Sequence, residues 1–292
     1  MPTVDALLLG VAVLAVSTSG PLAREAGAPT LAIAFWRTIL ASAVILPIAA
    51  FHNREELRRL RRQEVRTAVV AGACLALHFG TWIPSLSFTS VASSVALTCT
   101  QPVWAALMAR ARGEQIAVVT WLGIAVALSG ALLLTGVDFT LSARALFGDA
   151  LALAGGVFGA AYVTVGSDAR RMMSTTAYTS VCYPIAALLL LATCIASGQQ
   201  LGGYSARTWW ILVAITVGPQ LLGHSLVNRV LRTISATTVS VAILFEIVGA
   251  TVIAWWWFGE APTAGAYPAA VLIAIGVVLV VRASNARVAP AE

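Results

Sequence analysis

The chain consists largely of apolar runs of about 20 residues, separated by short connections that carry most of its charge. A helix needs about 20 mostly apolar residues to cross roughly 30 Å of hydrocarbon, and in lipid every backbone N–H and C=O must be satisfied within the spanning structure. Runs of this length predict spanning helices. Ten windows qualify, near residues 4–22, 30–51, 67–87, 90–110, 115–135, 146–166, 176–197, 208–228, 235–257 and 264–282. With 59% hydrophobic and 10% charged residues and a mean hydropathy of +0.89, the chain reads as an all-α integral membrane protein. Ten spans use most of the 292 residues and leave only short loops and a tail outside the membrane.

The first span resembles a secretory leader in length, but MPTVD carries no Arg or Lys and no small-residue cleavage site follows, so a retained helix is expected. Cys74, Cys99, Cys182 and Cys194 fall inside the windows without CxxC spacing, which points to packing rather than a disulfide framework or a metal site. No cofactor is expected. The net charge of +6 does not indicate nucleic acid, because the basic residues are all arginine and sit mainly between spans. If the N-terminus is cytoplasmic, Arg54, Arg58, Arg59, Arg61, Arg62, Arg66, Arg110, Arg112, Arg170, Arg171, Arg229, Arg232, Arg282 and Arg287 lie inside, and only Arg24, Arg144 and Arg207 outside. That bias places both termini in the cytoplasm. The connection HNREELRRLRRQEVR is either a solvated topology anchor or a short helix along anionic headgroups.

The two halves repeat at a spacing of 144 to 146 residues. Val4-Asp5-Ala6-Leu7 returns as Gly148-Asp149-Ala150-Leu151, Ala92-Ser93-Ser94-Val95 as Ala236-Thr237-Thr238-Val239, and Gly113-Glu114 with Gly130 as Gly259-Glu260 with Gly276. Five spans per half is an odd number, so the second copy enters the membrane from the opposite side. Inverted repeats of this kind can exchange conformations and open a midplane cavity to either face in turn.

Several stretches resemble the EamA branch of the drug/metabolite transporter superfamily: AFWRTILA, LHFGTWIPSLSFTSVASSVAL, QPVWAALMARARGEQIAVVTWLGIAVALSGALLL, FGDALALAGGVFGAAYV, GHSLVNRVLRTISATTVSVAILFEIVGA and WFGEAPTAGA. The resemblance implies ten transmembrane helices in two inverted five-helix EamA repeats (1–138 with helices 1–5, 145–284 with helices 6–10) and a short cytoplasmic tail, 285–292. It also implies a central cavity and secondary transport of a small metabolite, often outward. The expected setting is a bacterial inner membrane, with membrane lipid around a monomer or homodimer. One departure stands out. The family's ninth span commonly reads Glu-Pro, whereas Glu246 is followed here by Ile247, and the first half has Gln101-Pro102 near the equivalent place. The absence of that proline removes the kink expected of the ninth helix.

Glu246 lies near the middle of its span, where ionising a lipid-facing carboxylate costs at least ~2.5–3.5 kcal/mol. It must face water or protein, pair, or stay protonated, which makes it a candidate for substrate, cation or proton binding; the alternative is a neutral acid bonded between helices. Arg37 lies about 10 Å deep by helical rise. It either snorkels outward or lines a vestibule and offers a fork to a carboxylate or phosphate. A cavity holding both would suit an amphoteric, amino-acid-like solute. His78, His224 and Asn228 are polar side chains within spans, either proton-relay and binding groups or interhelical hydrogen-bonding groups. Gln101 is expected to face Glu246 across the symmetry axis. Trp82, Trp36, Trp104, Phe79 and Tyr162 lie deep, with Trp82 and Tyr162 candidates for the cavity wall. Trp209, Trp210 and Trp255 to Trp257 read as interfacial anchors.

Pro84 and Gly218-Pro219 interrupt their spans and are candidate gating bends. Gly155, Gly156 and Gly159 form a smooth packing surface, and Glu114 and Glu260 are expected as caps of the following helices. No HExxH, GxSxG or aspartate cluster supports an enzyme. The expected function is a secondary active transporter, an exporter of a small solute with the proton as a candidate coupling ion. A channel-like permease and a multidrug or organic-cation exporter are the alternatives.

Overall fold

A computed structural model of the chain describes residues 3–89, 91–135, 142–259 and 265–286. Glu260, Arg287 and the rest of the tail beyond residue 286 lie outside the described residues. Regular structure among these residues is helical: α1 (Thr3–Ser17), α2 (Ser19–Glu25), α3 (Thr30–His52), α4 (Arg54–Arg59), α5 (Arg62–Ser85), α6 (Val91–Thr98), α7 (Gln101–Ala111), α8 (Val118–Thr135), α9 (Ala143–Met172), α10 (Thr175–Ala196), α11 (Ala206–Ile215), a π-helical segment (Thr216–His224), α12 (Ser225–Val230), α13 (Ala236–Ile243), α14 (Phe245–Phe258) and α15 (Ala266–Ala286). Ser142, Ser174, Ser205 and Ser235 cap α9, α10, α11 and α13, each accepting a backbone N–H from three residues on. Each cap fixes a helix start at a worth of about 1 kcal/mol.

Among the described residues eight segments are long and apolar enough to cross a membrane: Thr3–Glu25, Thr30–His52, Arg62–Ser85, Ala143–Met172, Thr175–Ala196, Ala206–Val230, Ala236–Trp257 and Ala266–Ser284. The fourth and fifth of the ten expected spans are not among these eight. The fifth is a shorter apolar helix over Val118–Leu133. The fourth is broken between α6 and α7 at Cys99-Thr100. Pro102 explains this break, since it has no N–H to give the carbonyl four residues back. The ninth span breaks at the matching place, Leu244, although no proline is present. There the Ile247 N–H donates to Leu244 O at 3.2 Å, a tight three-residue turn inside an otherwise apolar helix.

Contacts sort the connections into two ends. Thr233 donates to Asp5 at 2.7 Å, Arg112 pairs with Asp168 at 2.5 Å, and the Ser174 N–H donates to Glu56 at 2.6 Å, so the arginine-rich connections share one end. At the other end Arg207 pairs with Glu25, Trp36 Nε1 donates to Leu201 O at 3.1 Å, and Arg144 donates to Ser87 O at 2.9 Å. Asp5 therefore lies at the arginine-rich end. Its repeat counterpart Asp149 lies at the opposite one, accepting from Thr89 at 2.6 Å.

The helices pack in pairs that respect the 144-residue offset: α5 against α9, α1 against the π-helical segment, α3 against α10, and α8 against α15. The last pair approaches backbone to backbone. A Cβ on Gly276 would stand 2.5 Å from Gly123 O, so only glycine fits there. The main core lies where α1, α3, α5, α9, α10, α12 and α13 meet, around Phe79, Tyr162, Tyr178 and Tyr183.

Candidate substrate cavity

Both halves contribute to a cavity of about 810 Å³, within the usual range for small-molecule sites. It extends to Arg24, Gly27, Thr30, Leu86 and Ser87 at the arginine-poor end, and its depth is lined by Arg37, His78, Phe79, Tyr162, His224 and Glu246. The break at Leu244 puts Glu246 in the first turn of α14, facing this space and half-buried.

Arg37 is 1% exposed, so it does not snorkel. Its Nε donates to Gln220 Oε1 at 2.9 Å and its Nη1 to Ser19 Oγ at 3.1 Å, while the guanidinium carbon stands 4.1 Å from the centre of the Phe79 ring. These contacts hold the head in one orientation against an aromatic face. Arg37 and Glu246 share the cavity without coming within ion-pair distance.

His78 lies in bond distance of the Gly155 carbonyl, Nδ1 to O 2.8 Å, which makes Nδ1 the protonated nitrogen. It is thus both an interhelical bond and a wall residue. Its ring lies nearly parallel to Trp82, 5.8 Å away at 15°. The glycine surface of α9 makes this possible. A Cβ on Gly159 would lie 2.7 Å from Gln101 Oε1 and 3.0 Å from His78 Nδ1, and one on Gly155 would lie 2.9 Å from Trp82 Cβ. Gln101 lines the cavity, but its amide donates to Ser240 at 3.2 Å and not to Glu246, so the expected pairing across the axis is replaced by a bond from α7 to α13.

Asn228 differs from expectation. It follows His224 by one turn on the same face, and that turn carries it past the cavity floor into full burial. There Tyr162 OH donates to Asn228 Oδ1 at 2.9 Å, Asn228 Nδ2 reaches Tyr183 OH at 3.5 Å, and Tyr183 OH bonds Ser225 Oγ at 3.2 Å. Arg170, 2% exposed, donates from Nε to Asn228 O at 3.0 Å and from its guanidinium to Met173 O. This buried polar cluster separates the cavity from the arginine-rich end.

Pro84 lies in the last turn of α5, where Ser87 N–H donates to its carbonyl, so it ends the helix rather than bending its interior. Gly218 and Pro219 lie inside the π-helical segment, the wider turn that a missing N–H permits. Glu114 precedes α8 without capping it; its N–H closes α7 onto Ala109 O. Trp255, Trp256 and Trp257 are exposed in the last turns of α14, as interfacial anchors are. Trp36 instead packs edge-on to Trp209 at 4.7 Å.

Sequence reading missed Gln220, Ser19, Tyr183 and Ser225, and it counted Arg170 only as a topology charge. Gln220 had a signal: it is an amide directly after Gly218-Pro219 in an otherwise apolar span.

The EamA-like transporter family matches residues 4–136 and again 146–282, nearly the whole chain in two copies. The chain belongs to the EamA-like transporter family. EamA-like proteins are membrane transporters of small solutes and not enzymes. No curated protein sequence matches this EamA-like chain. Among solved structures, one described as "Crystal structure of protein" superposes with a TM-score of 0.80 over 98% of this chain and 99% of its own, at 20% identity, a likeness of fold.

Proposed function

We propose that this EamA-like transporter is a secondary active carrier of a small amphoteric solute, amino-acid-like in having both an acid and an amine. Arg37 takes the acid, Glu246 the amine, and His78, Trp82, Gln101, Tyr162 and His224 complete the wall. One observation carries the reading: a cavity lined by Arg37 and Glu246, which are not ion-paired, extends toward the arginine-poor end, and the hydrogen-bonded Tyr162–Asn228–Tyr183–Ser225 cluster begins at its wall and runs away from that end. A channel needs a continuous path, whereas a carrier needs one closed gate at any time.

The ten membrane crossings are the eight long segments, α8, and α6 with α7 taken together. The opposite placement of Asp5 and Asp149 supports inversion of the two repeats, 1–138 and 145–284. With the arginine-rich end cytoplasmic, in a bacterial inner membrane, the described conformation faces outward and the polar cluster is its closed inner gate. Gly218 and Pro219 are the bend through which that gate moves. Export is the working direction, with Glu246 as the proton-coupling group. Counterflow in proteoliposomes tests the class: preloading with unlabelled amino acids accelerates labelled uptake by a carrier. Labelled uptake that is indifferent to preloading would identify a channel.

A further inference from the structure

Buried polar groups are almost always hydrogen-bonded, so the exceptions need a reason. Four buried side-chain nitrogens have no partner among the described residues: Arg37 Nη2, Gln220 Nε2, His224 Nδ1 and Trp82 Nε1. All belong to one neighbourhood. Arg37, His224 and Trp82 line the cavity, and Gln220, fully buried, is bonded to Arg37. Phe79 organises the group, with the Arg37 guanidinium 4.1 Å from its ring centre and the His224 ring edge-on at 5.3 Å. Three of the four atoms can only donate a hydrogen bond, and the imidazole nitrogen donates in one of its tautomers. A buried cluster of donors beside a fixed positive charge lacks protein acceptors, and Glu246, the acid lining the cavity, stands beyond ion-pair distance from Arg37.

We infer that Arg37, Gln220 and His224 form a carboxylate subsite between α3 and the π-helical segment, which binds the acid group of the solute; this rests on the carrier reading above. Gln220 has two tasks there. Its Oε1 holds Arg37 Nε, which orients the guanidinium, and its free Nε2–H points a second donor to the same anion. The π-helical segment carries both Gln220, bonded to Arg37 on α3, and His224, edge-on to the Phe79 ring that faces the Arg37 guanidinium. The ligand class is a monoanion. Arg37 is the full positive charge at this depth, and a phosphate dianion would leave a second charge buried without a partner. Trp82 Nε1, one turn toward the open end, serves an acceptor further along the solute.

The test uses purified protein and two probes of nearly equal shape, acetate and acetamide, titrated at constant ionic strength in thermal-shift and calorimetric assays. Acetate binds and raises the melting temperature, and acetamide does not. Gln220→Met, which keeps Arg37 and side-chain volume, weakens acetate about tenfold. Arg37→Lys, which keeps the charge but loses the fork, weakens it at least as much, and His224→Phe, which keeps the edge packing on Phe79, weakens it less. Should Arg37→Lys fail to fold, Gln220→Met decides. Equal acetate affinity in wild type and Gln220→Met, equal binding of acetamide, or binding of inorganic phosphate in place of acetate would each overturn the subsite. Failure of acetate with intact counterflow rejects the subsite alone. Failure of counterflow with intact acetate binding rejects the carrier reading alone.

Discussion

Replacing Asn228 by alanine removes the centre of the cluster that closes the arginine-rich end. The side chain is fully buried and accepts one well-formed bond from Tyr162 OH, 2.9 Å, with a longer one to Tyr183 OH, 3.5 Å. Tyr162 is itself 2% exposed, so its hydroxyl loses its Asn228 acceptor at a site with little access to solvent. Losing a bond and orphaning a buried donor costs about 2 kcal/mol. If these contacts exist only when the inner gate is closed, the population with that gate open rises roughly 30-fold. Val227→Cys supplies the reporter, because Val227 lines the cavity floor and is 1% exposed. Its reaction with a membrane-impermeant thiol reagent added from the arginine-rich side should accelerate by about that factor in the Asn228→Ala background. A fall in melting temperature with an unchanged labelling rate would refute the reasoning, since it would mean that the cluster is packing common to both conformations.

Glu246→Gln should abolish uptake driven by a pH gradient while leaving solute exchange intact; unchanged gradient-driven uptake removes the coupling role. Gly159→Ala drives a methyl to 2.7 Å from Gln101 Oε1 and 3.0 Å from His78 Nδ1, so stability should fall by about 1–3 kcal/mol with a loss of affinity; an unchanged melting temperature shows that those side chains can move aside freely. Outside the membrane, burial raises the Glu56 carboxyl, but bonds from Ser174 and Asn53 and the charge of Arg170 outweigh it and hold it below its ordinary value of 4.5. Its stabilising contribution is therefore complete above 4.5 and is lost as pH falls through the lowered value. The melting-temperature gap between wild type and Glu56→Gln should close on acidification below 4.5, and a gap independent of pH contradicts this.

Most of the architecture was legible because membrane solvation leaves few choices: apolar length gave the segments and arginine placement gave the two ends. Glu246 and Arg37 were legible for the same reason, since a charge at that depth must find water or a partner, and both line the cavity. What escaped was set by packing between distant segments. The repeat predicted an equivalence between Gln101 and Glu246, but the approach of α7 to α13 gave Gln101 a nearer partner in Ser240. Asn228 is fully buried one turn beyond the cavity-lining His224, and no sequence signal separates those two depths. The bend at Leu244 carries no proline and so leaves no local mark. Gln220 is neutral, and neutral amides in spans most often serve helix contacts; only its bond to Arg37 shows its place.

The central claim is a cavity reached from one face of the membrane at a time. Cys99 lines it and is a native thiol, so replacing Cys74, Cys182 and Cys194 leaves a single reporter at mid-depth. The decisive measurement is its labelling by a membrane-impermeant thiol reagent in oriented vesicles, with the reagent on either side in turn. Alternating exposure predicts reaction from both faces, with Asn228→Ala speeding it from the arginine-rich face and slowing it from the other. Reaction from one face alone, unmoved by that substitution, would contradict the account.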